Sequence, residues 1–424
     1  MALGSAFASG AAAAGPGDHI RVGNTVVTPS VSASLFWRSN PYLSDGSDGE
    51  EVRSGAGLTL RPALDLKSKN SNYDFNLGSS YTGKKYITDG MDNLNRWSDF
   101  EIRAALRALP EAKVGLALSN TLRNAGRETD STFSEDPYQG RFEEKFAAAA
   151  VLRPGSSMEL SLGGTAALQK YTAPEDTAFQ SDDPAGLNNR SAFGLVADYR
   201  WRFFPKTAVV VQVDQTWFRW ERDVVPLAGT TDFTGKPDGS LLHAMAGVNG
   251  RFSEKVSLKA LAGYGQVIND ESSVVAAGQG LAGDFETDYR GLALNSEVAY
   301  DATESQKVSV GYRRDFQDAY FTNFQIYDEV FLRYAGTYVD RLTLAGSLTR
   351  RVEDFGGTVS RSDRTIRPSV EAKYLVQDFL DVNAAMSWTQ RTSPGGTVAG
   401  ETVEANDAVG YSDVNLLLGA TFTY

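Results

Sequence analysis

The sequence lacks cysteine entirely and contains only two histidines, His19 and His243, among its 424 residues. Without cysteine the chain has no disulfide scaffold, no thiol catalysis and no cysteine-ligated zinc. The scarcity of histidine also excludes catalysis that depends on two or three of these side chains. A chain without cysteine is well suited to crossing an oxidising compartment.

The sequence has no excess of positive charge either. It contains 41 Lys and Arg residues and 53 Asp and Glu residues, which gives a net charge of −12. Binding to phosphate backbones needs a basic face, so we predict no nucleic-acid partner. Long hydrophobic runs are also missing: none approaches the ~20 residues of a membrane helix, and the mean hydropathy is −0.30. These properties exclude a helical membrane protein.

What recurs from residue 25 to residue 424 is an alternation of apolar and polar residues with a period of two. Between residues 193 and 203, for example, Phe193, Leu195 and Trp201 alternate with Asp198 and Arg200. Such alternation is typical of strands that have one apolar and one polar face. No segment shows three turns of amphipathic helix, so the chain is predicted to be all-β.

The connections between these strands are of two kinds, which alternate along the chain. Eight are short turns, near residues 68–71, 110–112, 153–156, 204–206, 252–255, 301–304, 339–340 and 376–378. Nine are longer, acidic and rich in Gly, Asp, Ser and Pro, near residues 39–52, 84–95, 125–140, 172–189, 222–239, 269–287, 318–324, 354–363 and 392–409. Eight plus nine makes 17 connections, which predict 18 strands.

Two architectures could carry this pattern. A soluble propeller or sandwich has strands of ~5–6 residues, and a propeller repeats a motif every ~40–45 residues. The segments here run to about ten residues, the length that crosses a bilayer at a ~45° tilt, and no motif repeats. A closed barrel also satisfies every backbone hydrogen bond in hydrocarbon. The sequence therefore predicts an 18-stranded antiparallel transmembrane β-barrel of the bacterial outer membrane, with short periplasmic turns and long acidic extracellular loops.

The two ends of the chain give further expectations. Residues 1–15 are small and apolar, with Ala12-Ala13-Ala14 as an A-x-A-like cleavage site, and we interpret them as the remnant of a signal peptide. A flexible leader of Ala and Gly is the alternative. Residues 16–24 are predicted to be a periplasmic N-terminal segment and residues 25–424 a single barrel. The alternating end of the chain, Thr421 to Tyr424, looks like the signal that the outer-membrane assembly machinery reads.

A barrel of this size holds an aqueous channel rather than a packed core. The polar face of its strands then points inward, and we interpret it as a hydrated pore lining, because unpaired charges in a dry lumen would be costly. The alternative for any single residue is a cross-strand ion pair that stiffens the wall. The predicted pore-lining residues are Arg61, Asp65, Asp74, Glu101, Arg103, Arg107, Glu159, Asp198, Arg200, Arg202, Asp214, Lys259, Glu297, Arg313, Asp315, Glu329, Arg333, Glu371, Lys373 and Asp381.

The sequence offers little for catalysis or for a cofactor. His243 has Ser240 and Asp238 near it in sequence, but we interpret it as a lumen or rim residue. The segment from Asp45 to Glu51 has oxygen ligands for Ca²⁺ without the spacing of an EF-hand. We therefore predict that the protein is not an enzyme and has no catalytic residue, no metal site and no cofactor.

The first strands resemble those of a known family. The strand Val27 to Ser32, the segment Ser39 to Tyr42 with the acidic run after it, and the returning strand Leu58 to Leu66 are similar to beta-barrel porins encoded with bacterial exopolysaccharide systems. They also resemble the outer-membrane porin partners of polysaccharide export in gliding soil bacteria. The resemblance implies a conduit for a secreted polysaccharide that works with a periplasmic export protein, and it carries over no site residue. The helical-repeat scaffold of some polysaccharide porins is missing, so that partner would be a separate protein.

Our hypothesis from the sequence is therefore a monomeric outer-membrane barrel that passes a surface polysaccharide outward. No loop is long enough to predict a plug, which favours a wide conduit or closure by another protein. Two alternatives remain open. One is a general diffusion porin for small solutes, and the other is a structural component of a surface or motility complex in which the pore is incidental.

Overall fold

The computed structural model of the chain describes residues 19–43, 52–126, 140–172, 189–221, 225–226, 233–234, 238–269, 288–318, 324–356, 359–393, 396–398, 401–403 and 410–424. The predicted leader, residues 1–15, lies outside these ranges. Within them the one helical segment is a single 3₁₀ turn at Asp92–Leu94. No helix in the described ranges is long and apolar enough to cross a membrane.

Eighteen long strands dominate the fold, and each is paired antiparallel with its two neighbours. They are β1 (Thr25–Arg38), β2 (Gly55–Lys69), β3 (Tyr73–Tyr86), β4 (Arg96–Ala108), β5 (Val114–Gly126), β6 (Gly140–Gly155), β7 (Met158–Thr172), β8 (Arg190–Phe204), β9 (Thr207–Trp220), β10 (Gly239–Arg251), β11 (Val256–Asn269), β12 (Tyr289–Thr303), β13 (Gln306–Asp318), β14 (Phe324–Tyr338), β15 (Leu342–Gly356), β16 (Val359–Gln377), β17 (Leu380–Thr392) and β18 (Tyr411–Thr423).

The sheet closes on itself because the last strand pairs with the first. The seam between β1 and β18 runs from Ser30 opposite Thr423 to Arg38 opposite Asn415. A closed sheet has no free edge around the middle of the wall, so the backbone groups there are paired with neighbouring strands. The predicted 18-stranded antiparallel barrel is confirmed. We call the end with the eight short turns, where β1 begins and β18 ends, the short-turn end, and the opposite end the long-loop end.

The outer face of the wall is apolar. Every second residue of a strand points outward, and large apolar side chains at these positions stay exposed, as Leu58 and Leu60 do in β2 and Val330 and Leu332 do in β14. Leu418 in β18 is 60% exposed. A continuous apolar surface of this extent would aggregate in water, but it matches the hydrocarbon of a bilayer.

Exposed aromatic residues border this apolar face at both ends of the barrel. Trp201, Tyr300 and Tyr374 lie toward the short-turn end, whereas Trp37 and Trp217 lie toward the long-loop end. Tyr and Trp favour the boundary between lipid and water because one part of each ring system is apolar and the other is polar. The two girdles therefore mark the limits of the membrane-embedded band.

One predicted long loop is wrong. Residues 354–363 are mostly strand, since β15 continues to Gly356 and β16 begins at Val359. A hairpin of two short strands, Gly396–Val398 and Glu401–Val403, also pairs with the first residues of β16. The glycines and charges of this region indicate a loop by composition, but pairing with neighbouring strands outweighs such local preference.

The N-terminal segment folds back on the first strand. Residues Ile20–Val22 pair with residues 25–27 of β1 through a tight turn in which Gly23 has a φ of 63°. The last strand does not reach residues 25–27. Its final contact with β1 is the hydrogen bond that the backbone N–H of Tyr424 donates to the carbonyl oxygen of Pro29. The short strand therefore covers part of the β1 edge that β18 leaves open.

Candidate functional site

The predicted pore-lining residues lie on the inner face of the wall. In β2, Leu58 and Leu64 are exposed on the outer face, so Arg61 and Asp65 between them point the other way. The same parity places the remaining predicted residues on inward positions: Asp74, Glu101, Arg103, Arg107, Glu159, Asp198, Arg200, Arg202, Asp214, Lys259, Glu297, Arg313, Asp315, Glu329, Arg333, Glu371, Lys373 and Asp381. Their part in conduction stays a prediction.

Several of these residues form ion pairs within the wall. Arg103 contacts Glu101 at 2.6 Å, and Lys373 contacts Asp381 at 2.9 Å. Because such pairs join residues of one strand or of neighbouring strands, they stiffen the wall as well as line it.

Other predicted residues have no ion pair with the part of the chain that the structure describes. Arg107, Arg200 and Arg202 are exposed on the inner face. Arg61 donates a hydrogen bond to Ser80 at 3.2 Å, and Arg333 lies over the ring of Phe331 at 3.9 Å. These arginines keep their charge available to the lumen, so they are the positions at which the lining can act on a solute.

A second group of charges, at the long-loop end of β15 to β17, is not predicted by the sequence patterns. Arg351 contacts Glu353 at 2.9 Å, and Asp363 pairs with Arg391 and with Arg361. Glu353 is 1% exposed and Asp363 is fully buried. The sequence analysis missed this group because residues 354–363 have the composition of a loop. The signal that could have revealed it is parity: Arg361 and Asp363 have the same odd numbering as the inward Glu371 and Lys373 of β16.

His243 lies in a cluster on the inner face, but its partners are not the residues next to it in sequence. Its Nδ1 lies 3.1 Å from Asp214 Oδ2 and its Nε2 lies 2.8 Å from Asp315 Oδ1, while its ring stacks on Phe316 with 4.3 Å between centroids. Ser240 lies on an outward position of the same strand, so a Ser–His arrangement is not formed. The cluster joins β9, β10 and β13.

At the long-loop end, parts of the inner face carry apolar side chains. The connection between β3 and β4 folds over the rim, and Met91 is buried against Phe36 and Tyr86 on the inner face. The hydroxyl of Tyr42 donates to Asn93 Oδ1 at 2.9 Å and holds this connection in place. On another part of the wall, an inward cluster of apolar side chains is formed by Phe218, Trp220, Val267, Ala293, Phe316 and Phe324.

Toward the short-turn end the lumen wall contains two cavities. One has a volume of about 530 Å³ and is lined mainly by β4 to β9. The other has a volume of about 490 Å³ and is lined mainly by β12 to β18. Most of their lining residues occupy inward positions of the strands, so both cavities are recesses of the lumen rather than pockets of a core.

No group of three or more His, Asp or Glu side chains in the described ranges could hold a metal ion. The candidate calcium segment from Asp45 to Glu51 lies outside those ranges. Asp238, which lies near His243 in sequence, instead pairs with Arg219 at 3.0 Å.

Comparison with solved structures finds outer-membrane barrels. A BenF-like porin from Pseudomonas fluorescens Pf-5 is 10% identical with a TM-score of 0.49, and the match covers 95% of this chain and 99% of that chain. OpdQ from Pseudomonas aeruginosa is 12% identical with a TM-score of 0.44, covering 94% and 98%. OmpT, an outer membrane protein of Vibrio cholerae, is 12% identical with a TM-score of 0.37, covering 95% and 99%. At these identities the likeness concerns the barrel architecture alone.

Comparison at the level of sequence gives a family. No protein in a comparison with curated proteins matches the chain. Residues 16–409 match the family described as "Putative beta-barrel porin 2". That range includes all of the barrel except its last strand. Because the match covers nearly the whole chain, the protein belongs to this family of beta-barrel porins and is an integral protein of the outer membrane.

Proposed function

We propose that the barrel is a water-filled conduit across the outer membrane and that its cargo is a polysaccharide on its way to the cell surface. One observation carries the conduit: Arg107, Arg200 and Arg202 are exposed on the inner face without an ion pair among the described residues. Charged groups in a dry lumen would cost several kcal/mol each, roughly, so this part of the lumen must hold water.

The orientation that we propose follows from the two kinds of connection. In barrels of the outer membrane the short turns face the periplasm and the long loops face outward. The first strand of the barrel begins and the last strand ends at the short-turn end, because the number of strands is even. The short-turn end would then face the periplasm, and the acidic long loops would face the surroundings of the cell.

The identity of the cargo rests on the resemblance of the first strands to porins of exopolysaccharide systems. A lumen lined with water and charged residues would let a hydrophilic polymer pass more easily than an apolar polymer. The barrel has no energy source of its own in this scheme. We therefore propose a separate periplasmic export protein that delivers the polymer to the short-turn end.

Diffusion of small hydrophilic solutes is the second candidate, and the long-loop end favours it. There Met91 and the inward cluster around Phe218 and Phe316 place apolar side chains on the inner face. These side chains occupy space inside the lumen, and a small solute needs less of that space than a chain of sugars.

Two measurements test the proposed function. The first is a clean deletion strain, complemented with the wild-type gene as control, in which secreted polysaccharide and the uptake of a membrane-impermeant solute are both quantified. Export predicts that polymer disappears from the surface while uptake is unchanged. Normal polymer with reduced uptake would establish the diffusion porin instead, and normal values of both would leave the structural role. The second measurement is single-channel conductance of the purified barrel, and its absence would contradict both conduits.

A further inference from the structure

The cavity of about 530 Å³ near the short-turn end is a shallow recess in the lumen wall. On one level of the sheet, Arg107 of β4 is followed by Ala117, Ala149 and Gly163 on β5, β6 and β7, and then by Val196 on β8. The three middle positions carry almost no side chain, so the wall recedes there. The recess spans four strand spacings of ~4.8 Å, or roughly 19 Å of wall.

Arginines border the recess on three sides. Arg107 stands on β4 at one side, and Arg200 and Arg202 stand on β8 at the other. Arg153 lies at the short-turn side. Four positive charges thus surround a floor of small residues.

The two carboxylates of the recess are already engaged with other residues. Glu159 Oε2 accepts a hydrogen bond from Arg153 Nε at 3.0 Å, and Asp198 Oδ1 accepts one from Gln212 Nε2 at 2.9 Å. Four arginines less two carboxylates leave a net charge of +2 on the lining. The arginines Arg107, Arg200 and Arg202 remain without an ion pair in the described part of the chain.

This positive charge is a local feature of one wall. The second cavity, of about 490 Å³, is lined by Lys307 and Arg333 together with Glu297 and Glu371, so its ionisable residues balance. The chain as a whole carries a net charge of −12. The net charge of this recess is therefore positive, whereas that of the cavity on the opposite wall is zero and that of the whole chain is negative.

We propose that this recess binds the anionic groups of a solute in transit, which we identify as a sugar that carries carboxylate or phosphate. Guanidinium groups bind both oxyanions with two parallel hydrogen bonds, and they do so more strongly than they bind neutral hydroxyl groups. The small residues of the floor leave room for a sugar ring between the arginines. The inference rests on the proposed conduit and adds the charge class of its cargo.

The test uses the full-length barrel in planar lipid bilayers. The recess variant carries Arg107→Gln, Arg200→Gln and Arg202→Gln. The matched control carries Arg290→Gln, Arg350→Gln and Arg364→Gln, which removes the same number of charges from exposed positions on the outer face. The readouts are the reversal potential in a KCl gradient and the block of current by tri-galacturonate, with maltotriose as the neutral probe of similar size.

We expect the wild-type barrel to be blocked by tri-galacturonate and not by maltotriose. The recess variant should need about tenfold more tri-galacturonate for the same block, because hydrogen bonds to charged groups are lost, and its reversal potential should shift toward cation selectivity. The control should match the wild type. Equal block of the recess variant and the wild type, or an equal loss in the control, would overturn the proposal.

Failure of the conduit and failure of the recess can be told apart. If the purified barrel shows no conductance, the conduit fails, and titration of tri-galacturonate into the barrel in detergent micelles still tests the recess. Binding that the recess variant loses and the control keeps supports the site. No binding to the wild type rejects it.

Discussion

At the scale of single residues, His243 lies between two carboxylates of the lumen wall. Both ring nitrogens face carboxylate oxygens, at 3.1 Å to Asp214 and 2.8 Å to Asp315. A neutral imidazole has only one N–H and would turn a lone pair toward one of the carboxylates. The arrangement therefore favours the doubly protonated ring, which lies between the negative charges of Asp214 on β9 and Asp315 on β13.

Substitution of this histidine is expected to destabilise the barrel. His243→Ala leaves Asp214 and Asp315 close together without a cation, and we expect the free energy of unfolding to fall by about 1–2 kcal/mol. The measurement is urea-induced unfolding in phospholipid vesicles. His19→Ala is the matched control, because that side chain forms a single hydrogen bond among the described residues, to Thr28 in the N-terminal part of the chain, and it should change the free energy much less.

The double variant H243A/D315N sharpens this experiment. Removal of one of the two facing carboxylates should restore part of the lost stability, since the repulsion disappears with it. An unchanged unfolding midpoint in His243→Ala would show that the cluster does not contribute to stability.

At the scale of strands, the seam between β1 and β18 depends on one buried carboxylate. Arg38 donates from Nε and Nη2 to Asp413 Oδ2 at 3.0 and 2.7 Å, and the backbone N–H of Asn40 donates to Oδ1 at 2.9 Å. Asp413 is 2% exposed. The group lies at the long-loop end of the seam, where it joins the first strand of the barrel to the last.

Loss of this charge is expected to weaken closure of the barrel. In Asp413→Asn the buried Arg38 loses its counter-ion, which costs about 3 kcal/mol in comparable buried pairs. The measurement is the temperature at which the folded band disappears on SDS–polyacrylamide gels without prior boiling, and we expect it to fall. Asp354→Asn is the control, because Asp354 is exposed on an outward position of β15. A fall of equal size in both variants would mean that the seam has no special role.

At the scale of the whole molecule, the absence of cysteine makes the orientation of the barrel directly measurable. Asp89 is exposed in the connection between β3 and β4 at the long-loop end, and Asp340 is exposed in the short turn between β14 and β15. Asp89→Cys and Asp340→Cys therefore place one thiol at each end of the barrel without a competing native thiol.

The proposed orientation predicts opposite labelling of these two variants by a membrane-impermeant maleimide. Asp89→Cys should react on intact cells, whereas Asp340→Cys should react only after the outer membrane is permeabilised. Each variant is the control of the other, because both positions are exposed once the membrane is open. Reaction of Asp340→Cys on intact cells would show that the barrel is inserted the other way round.

The sequence by itself determined the strands, their number and the face on which each side chain lies. These properties are local: the period of two assigns every residue of a strand to one face, and the lengths of the connections separate the two ends. Phe316 is an exception to this assignment of faces. Pairing of β13 with β12 stops at Arg314, and beyond that point Phe316 packs inward against His243 although its even position predicts the outer face.

Only the tertiary structure decided which charges meet. Asp315 reaches His243 across 72 residues of sequence, and Asp413 reaches Arg38 across 375. The recess between Arg107 and Arg200 likewise depends on the register of five strands. The physical reason is that alternation fixes only the side of the wall, whereas register and closure fix the height and the neighbours, and these depend on pairing between distant segments.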